Sequence, residues 1–457
     1  MRLMKFGKAL SMGALSLGIV CGVSSCVQSY TVGYLYVTGT VTAQSGSNGQ
    51  INGLRIDHNT GVLNNINGYP IASGGANPVR AVLTGGSRFF YVLNRGASAS
   101  GSADCYGTGA NACLNANITQ FTVGGNGIMT PQATFFTQGL NPFRLIADTS
   151  GSYILALAHD APDNANPSST DGCARALGTA NTTCGDITIF KIDSATGRLS
   201  LVQNTQVTAA SGQPLNYFPV PANPVDFVFS AGTLLTLTGA PAPTGYPYTG
   251  ATSVWPYTYN AGQLTLSQNS VQPLGITQGT AIVLASGIVY VLDNEPITAT
   301  FNNTSTTSPS QILPFSVGSN GALQAEPSGI IPDDPTLSNP IALVVESKGK
   351  FLYLANQGNN ITGANPQSGI TGYFLTTTPA YQLSFIAGQP FGAGSGPQCI
   401  VEDPSNQFIY EANEYDSTVT GRVLDPNSGA LNQMHVNGGV YKLNGPPTYC
   451  VMNGRTN

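Results

Sequence analysis

The chain has 457 residues and carries 16 Lys and Arg against 21 Asp and Glu, a formal charge of −5. Charged residues make up 8% of it, where ordinary soluble domains hold roughly a quarter; so few cations exclude a nucleic-acid partner, because neutralising phosphates takes clustered Lys and Arg. With 55 Gly and 30 Pro the composition favours turns over helices, while 20 Tyr and 18 Phe supply a core and argue against disorder.

The first 26 residues read as a leader rather than as structure. Arg2, Lys5 and Lys8 form a positive start, Ala9 to Val23 an apolar stretch too short to span a bilayer, and small residues follow. Val23-Ser24-Ser25-Cys26 resembles the bacterial lipobox, so Cys26 is expected to carry lipid, and a single domain is expected to span residues 27–457. Removing the three leader cations takes the formal charge from −5 to −8. The expected location is the bacterial cell envelope, with contact to the membrane through the lipid anchor only. Setting aside Cys21 and Cys26, six cysteines remain, an even count that suggests disulfides in an exported chain. Proximity favours Cys105 with Cys113 and Cys173 with Cys184, which leaves Cys399 and Cys450 to pair.

The rest of the chain repeats one pattern: an Asn-Pro-like lead-in, an apolar run, a tight turn and an aromatic-rich run. It occurs at Asn77-Pro78 to Asn94, Asn141-Pro142 to Ala158, Asn223-Pro224 to Gly239, Gly279-Thr280 to Asn294, Asn339-Pro340 to Asn356 and Gly396-Pro397 to Asn413. Such runs, bounded by turn residues, are strand and hairpin signals, and no segment of helical period competes. A third strand with its turn recurs at Ile51 to Leu63, Ile118 to Met129, Ile187 to Leu199, Val254 to Leu264, Ile312 to Leu323, Ile370 to Leu383 and Val419 to Leu431. That is one copy more than the first pair of strands has. The missing first strand is supplied by Pro446 to Met452 and the missing second by Tyr34 to Thr38, so both ends complete one unit. The fold class predicted is an all-β, seven-bladed propeller of four-stranded antiparallel blades, the last closed by strands from both termini. Cys399 and Cys450 then fall on the inner strands of adjacent blades.

Connections between strands one and two and between three and four are tight, as at Thr84-Gly85-Gly86-Ser87 and Asn59-Thr60-Gly61. The long ones, Arg95 to Asn117, His159 to Asp186, Glu295 to Gln311 and Ala209 to Ala222, follow strand two or join blades. In an up-and-down blade both of these classes emerge on one side, which marks a binding face. The residue just past strand two should line its mouth: Thr40, Arg95, His159, Ala240, Glu295, Gln357 and Glu414. Four ionisable groups on one ring is an enrichment in a chain with three His. Glu295 and Glu414 are candidates for acid/base or ligand groups, with His159 and Arg95 opposite. His58 and His435 are expected at the surface and Trp255 between blades. No His/Cys/Asp spacing reads as a metal site, the Gly-rich turns lead into no helix that would make them phosphate loops, and no cofactor is expected.

Residues 394–419 carry a resemblance. Gly394-Ser395-Gly396-Pro397-Gln398-Cys399, then Tyr410-Glu411-Ala412-Asn413-Glu414-Tyr415-Asp416-Ser417-Thr418-Val419, is similar to the frame Gly-x-Gly-Pro-Arg-His and Tyr-x-x-Asn-Glu-Leu-x-Ser-Thr-Val of the seven-bladed lactonase family, which includes propeller-type 6-phosphogluconolactonase and the carboxymuconate lactonising enzyme. The resemblance implies a site built from that Arg, the Glu and a His of the preceding blade. Glu414 matches; Gln398 stands for the Arg, Cys399 for its His neighbour, and Ser338 to Leu343 contains no His. Two functions follow. One is a monomeric binding or scaffold propeller with a small polar molecule or a protein at the mouth, through Arg95, Glu295, Gln357 and Gln398. The other is a hydrolase opening a sugar-type lactone, with Glu414 and His159 as catalytic residues. A phosphorylated lactone is the poorest candidate, since few cations are present to hold the phosphate.

Overall fold

The computed structural model describes residues 30–41, 48–99, 105, 112–230, 232–239, 251–301, 304–358, 367–376 and 382–454. The leader, Cys26 and Ala240 lie outside them. Seven antiparallel sheets follow one another along the chain. Their innermost strands are Pro78–Thr84, Leu140–Ala147, Pro224–Ser230, Gly279–Ala285, Pro340–Val345, Pro397–Glu402 and Pro447–Asn453, here blades 1 to 7. Blade 7 is assembled from both termini: Pro447–Asn453 pairs with Thr31–Thr40, Val37 lying opposite Cys450, and Thr31–Thr40 pairs in turn with Asn48–Asp57. The predicted closure is present.

The second strand of each blade is buried on both faces, which is why it reads as an unbroken apolar run instead of an alternating one. Phe89, Tyr91 and Leu93 of blade 1 face blade 2, while Phe90 and Val92 face blade 7. Seven apolar clusters result, one at each interface between neighbouring blades, including that between blades 6 and 7. Trp255 is fully buried between blades 2 and 3, its indole N–H donating to Thr238 Oγ1 (3.1 Å). His58 stacks on Tyr30, and His435 is exposed just beyond the outer strand Leu431–Gln433.

The outer edge differs from a plain four-stranded blade. In five blades a further short strand, such as Ile71–Ala76 or Val440–Lys442, joins the third strand beside the fourth on its way to the next blade. Among the described residues an α-helix and three short 3-10 turns depart from the strand-only expectation. The insertion between His159 and Asp186 holds a short helix, Gly172–Leu177, which Asp171 caps by accepting from the Ala174 N–H (2.9 Å). Two other insertions carry hairpins, Ile297–Phe301 with Thr304–Ser308 and Asn204–Thr208 with Pro214–Leu215. All three disulfides, Cys105–Cys113, Cys173–Cys184 and Cys399–Cys450, are formed.

Candidate functional site

The lead-in to each blade fixes the mouth. Asn77, Asn141, Asn223 and Asn339 hold left-handed backbone with φ of 53° to 56°, and Gly396 takes the same place at 74°; Asn and Gly tolerate that region. The next residue is paired with strand two, and in every blade the residue after that is skipped by the pairing, as a β-bulge. These are Val79, Phe143, Val225, Thr280, Ile341, Gln398 and Thr448. A bulge re-aims the side chain it carries: Phe143 meets His159 and Gln398 meets Glu414, each just past strand two of the same blade, whereas the Thr280 and Thr448 hydroxyls donate to the Pro340 and Pro78 carbonyl oxygens of the next blade.

That residue is itself pinned. The N–H groups of Arg95, Gln357 and Glu414 donate to the carbonyl oxygens of Asn77 (2.8 Å), Asn339 (2.9 Å) and Gly396 (2.8 Å). Strand two to three connections meet blade lead-ins at this face: the Cys113 N–H donates to Asn141 Oδ1 (2.9 Å), and Ser368 Oγ bridges the Gln357 carbonyl oxygen (2.6 Å) and the Gly396 N–H (3.1 Å). The strand two to three connections of blades 1 and 5 therefore reach this rim.

Two groups of side chains occupy this rim. In blades 5 and 6, Glu414 Oε2 accepts from the amide of the bulged Gln398 and from Gln357 Nε2 (3.3 Å), while Gln357 Oε1 accepts from Asn339 Nδ2 (2.8 Å). Burial raises the Glu414 carboxyl above its usual range, and the two amides offset part of that rise. Cys399, at the position of the motif His, is bonded to Cys450 with Cα atoms 5.9 Å apart. Its sulfur is committed to holding blades 6 and 7 together.

The second group lies in blades 1 to 3. The His159 imidazole stacks on the bulged Phe143, with ring centroids 3.9 Å apart and planes 13° apart. Burial pushes it down to about 4, helped by Arg95 and Arg144, so it is neutral at pH 7. Arg144 Nε donates to Asp226 Oδ1 (3.0 Å), and the Arg80 guanidinium lies 4.7 Å over the Tyr449 ring. Beside His159 opens a cleft of about 280 Å³, lined by Asp160, Asn164, Thr183 and Asn223 among others. Glu295 belongs to neither group; its Oε1 accepts from the N–H and hydroxyl of Thr277.

The structure thus joins Gln357, Gln398 and Glu414, and separately sets His159 with Arg95. His159 and Glu414, paired in the sequence reading as catalytic residues, fall in different groups, because they sit in blades 2 and 6. Arg80, Arg144 and Asp226 were missed. Their signal was present: each is the second residue after a lead-in Pro, a column the repeat alignment exposes. Asp163, Asp171 and Cys173 also lie close together, but the sulfur is bonded to Cys184, Asp163 holds the Gly172 N–H (2.7 Å) and Tyr217 hydroxyl (2.5 Å), and Asp171 caps the helix. They anchor the insertion.

Among solved structures, a Bacteroides uniformis protein described as a candidate 6-phosphogluconolactonase superposes with a TM-score of 0.60 at 12% identity, covering 92% of this chain and 99% of that one. A Bacteroides fragilis protein of the same description gives 0.60 at 15%, covering 92% and 98%. The periplasmic gluconolactonase of Pseudomonas aeruginosa gives 0.59 at 15%, covering 92% and 99%. The chain shares their fold. No family model matches it, and no curated protein does. Within that shared fold Glu414 stands where the motif has its Glu, and Gln398 places an amide where the motif of residues 394–399 has its Arg.

Proposed function

We propose that the chain is an exported, lipid-anchored hydrolase that opens an unphosphorylated sugar-type lactone, with Glu414 as general base. The observation that carries this reading is the Glu414 carboxylate at the loop-bearing rim, desolvated so that its proton affinity rises and fixed through Oε2 by Gln398 and Gln357. A base of raised proton affinity, oriented by its neighbours, is what proton removal from water needs. In the reaction Glu414 takes a proton from water, the water oxygen bonds to the lactone carbonyl carbon, and the ring carbon–oxygen bond breaks. The proton on Glu414 passes to the departing ring oxygen, leaving a hydroxy acid. His159, neutral and stacked on Phe143, contributes shape to the rim rather than charge.

The likeness to a periplasmic gluconolactonase supports the reading at the level of fold. Three disulfides suit an oxidising compartment, and the lipobox at Cys26 supports anchorage. Cys26→Ser is expected to move the protein from membrane to soluble fractions; unchanged fractionation would remove the anchor from the proposal.

A second reading is favoured by Gln398 itself. A carboxamide donates hydrogen bonds but brings no charge to a developing oxyanion, and loss of such a donor costs about 100- to 1000-fold in rate. On that reading the mouth binds a small polar molecule or a protein without turnover. Hydrolysis of glucono-δ-lactone by the purified protein beside Glu414→Gln decides between them. Turnover above the uncatalysed rate that falls about 100-fold or more in the variant supports the hydrolase, and identical background rates support the binding protein.

A further inference from the structure

Charge is distributed unevenly around the inner wall of the propeller. The second residue after each lead-in is Tyr449, Arg80, Arg144 and Asp226 in blades 7, 1, 2 and 3, and Ala281, Ala342 and Cys399 in blades 4, 5 and 6. One half of the wall is therefore polar and charged, the other small. In the polar half two guanidinium groups face one carboxylate, a formal charge of +1 in a chain whose total is −5.

The bonds there leave donors open. A guanidinium has five N–H groups in a fixed fork. Arg80 places one on the Val79 carbonyl oxygen (2.8 Å), and Arg144 places one on Asp226 and one on the Phe143 carbonyl oxygen (3.4 Å). The remaining donors have no hydrogen-bond partner among the described residues. Both planes are held by aromatic faces, Arg80 over Tyr449 at 4.7 Å and Arg144 over Phe143 at 5.3 Å. Asp226 is fixed in its turn by the N–H groups of Phe227 (2.9 Å) and Ile282 (3.2 Å). The group is half-buried and holds one more cation than anion. The same deficit shows in Arg80, whose guanidinium is pushed down to about 10 by burial and by Arg144.

We propose that this wall is a binding site for a small organic carboxylate, received by the open donors of Arg80 and Arg144 while Asp226 holds Arg144 in place. Planar forks match a carboxylate in pairs of parallel hydrogen bonds, which a single ammonium does not. One carboxylate neutralises the local charge of +1, whereas a phosphate dianion would overshoot it. The hydroxy acid released by lactone opening belongs to this chemical class, yet the site stands on its own residues, in blades other than that of Glu414.

Calorimetric titration of the purified protein with D-gluconate, and separately with inorganic phosphate, tests the proposal without requiring turnover, so its failure is distinct from failure of the hydrolase reading. Gluconate is expected to bind, and Arg144→Ala to weaken it by about tenfold or more, the loss of a charged hydrogen-bonding partner. Asp226→Asn keeps a side-chain oxygen that can accept from Arg144 Nε but removes the competing negative charge, and is expected to tighten binding, an effect of opposite sign that a misfolded variant does not imitate. No binding, binding of phosphate but not gluconate, an unchanged Arg144→Ala titration, or weaker binding in Asp226→Asn would each overturn it.

Discussion

The Tyr410 hydroxyl donates to the carbonyl oxygen of Gly61 at 2.6 Å, although 349 residues separate them. The bond runs from blade 6 to the strand three to four turn of blade 7, across the junction that the two termini complete. The same contact recurs from Tyr36 to Gly127 (2.9 Å), Tyr91 to Gly197 (2.5 Å) and Tyr353 to Gly429 (2.7 Å). At Gly61 φ is 68° and an added Cβ would strike the Phe408 ring, so the turn both needs glycine and packs its backbone on the preceding blade. Tyr410→Phe leaves a buried carbonyl oxygen without its donor and is expected to lower stability by about 1–2 kcal/mol. Denaturant unfolding with an unchanged midpoint would show that the bond does not hold the junction.

Cys399–Cys450 crosses the same junction with a sequence separation of 51, against 8 for Cys105–Cys113. Restricting the unfolded chain through the longer loop predicts a stabilisation of roughly 4 kcal/mol, against roughly 2.5 kcal/mol for the shorter. Replacing each pair by Ser should therefore lower Tm more for Cys399 and Cys450. Equal shifts, or a larger one for Cys105 and Cys113, would contradict the assignment of the first pair to ring closure.

Glu411 lies wholly buried in strand two of blade 6, and burial pushes its carboxyl up to about 8, Arg422 offsetting part of the rise. The folded state therefore holds this proton while the unfolded chain loses it above its ordinary value of 4.5. The resulting stability is fully present below 4.5 and is lost as pH rises toward 8, with Asp333, pushed up to about 6 by burial, acting in the same sense at lower pH. Wild type should lose on the order of a few kcal/mol between pH 5 and 8, and Glu411→Gln should flatten that decline. Parallel Tm curves for the two proteins would sink this account.

His159 should titrate near 4, since its folded value is pushed down by burial and by Arg95 and Arg144. Replacing Arg144 by Met removes one of those charges and should move the midpoint up. A proton-detected titration of the imidazole with a midpoint near 6.5 would mean that His159 is solvated and stands apart from Phe143 and the two arginines.

Much of the ring was legible because its signals are local and repeated. Asn-Pro lead-ins, doubly buried second strands and Gly-containing turns recur in order, and the incomplete units at Tyr34 and Pro446 point to each other. The helix Gly172–Leu177 was not legible: six residues carry no period, and tertiary ties to Asp163 and Cys184 stabilise it. The split of the rim into a Glu414 group and a His159 group was hidden for a different reason. Aligning residues past strand two assigns them one height on the mouth, but which neighbours meet depends on the bulged residue of each blade. Gln398 reaches Glu414 and Phe143 covers His159, and only the bulge geometry says so. Arg80 and Arg144 went unread because two ordinary-looking arginines gain meaning only when consecutive blades bring them together.

The most direct test of the hydrolase account is the pH dependence of kcat/KM for glucono-δ-lactone, corrected for uncatalysed opening, in wild type and Glu414→Gln. The account predicts a rate that rises with pH through an apparent pKa above 4.5, the ordinary value from which burial raises Glu414, and a variant that loses both the rise and most of the rate. A wild-type rate equal to background at every pH, or a profile that the substitution leaves unchanged, would contradict it.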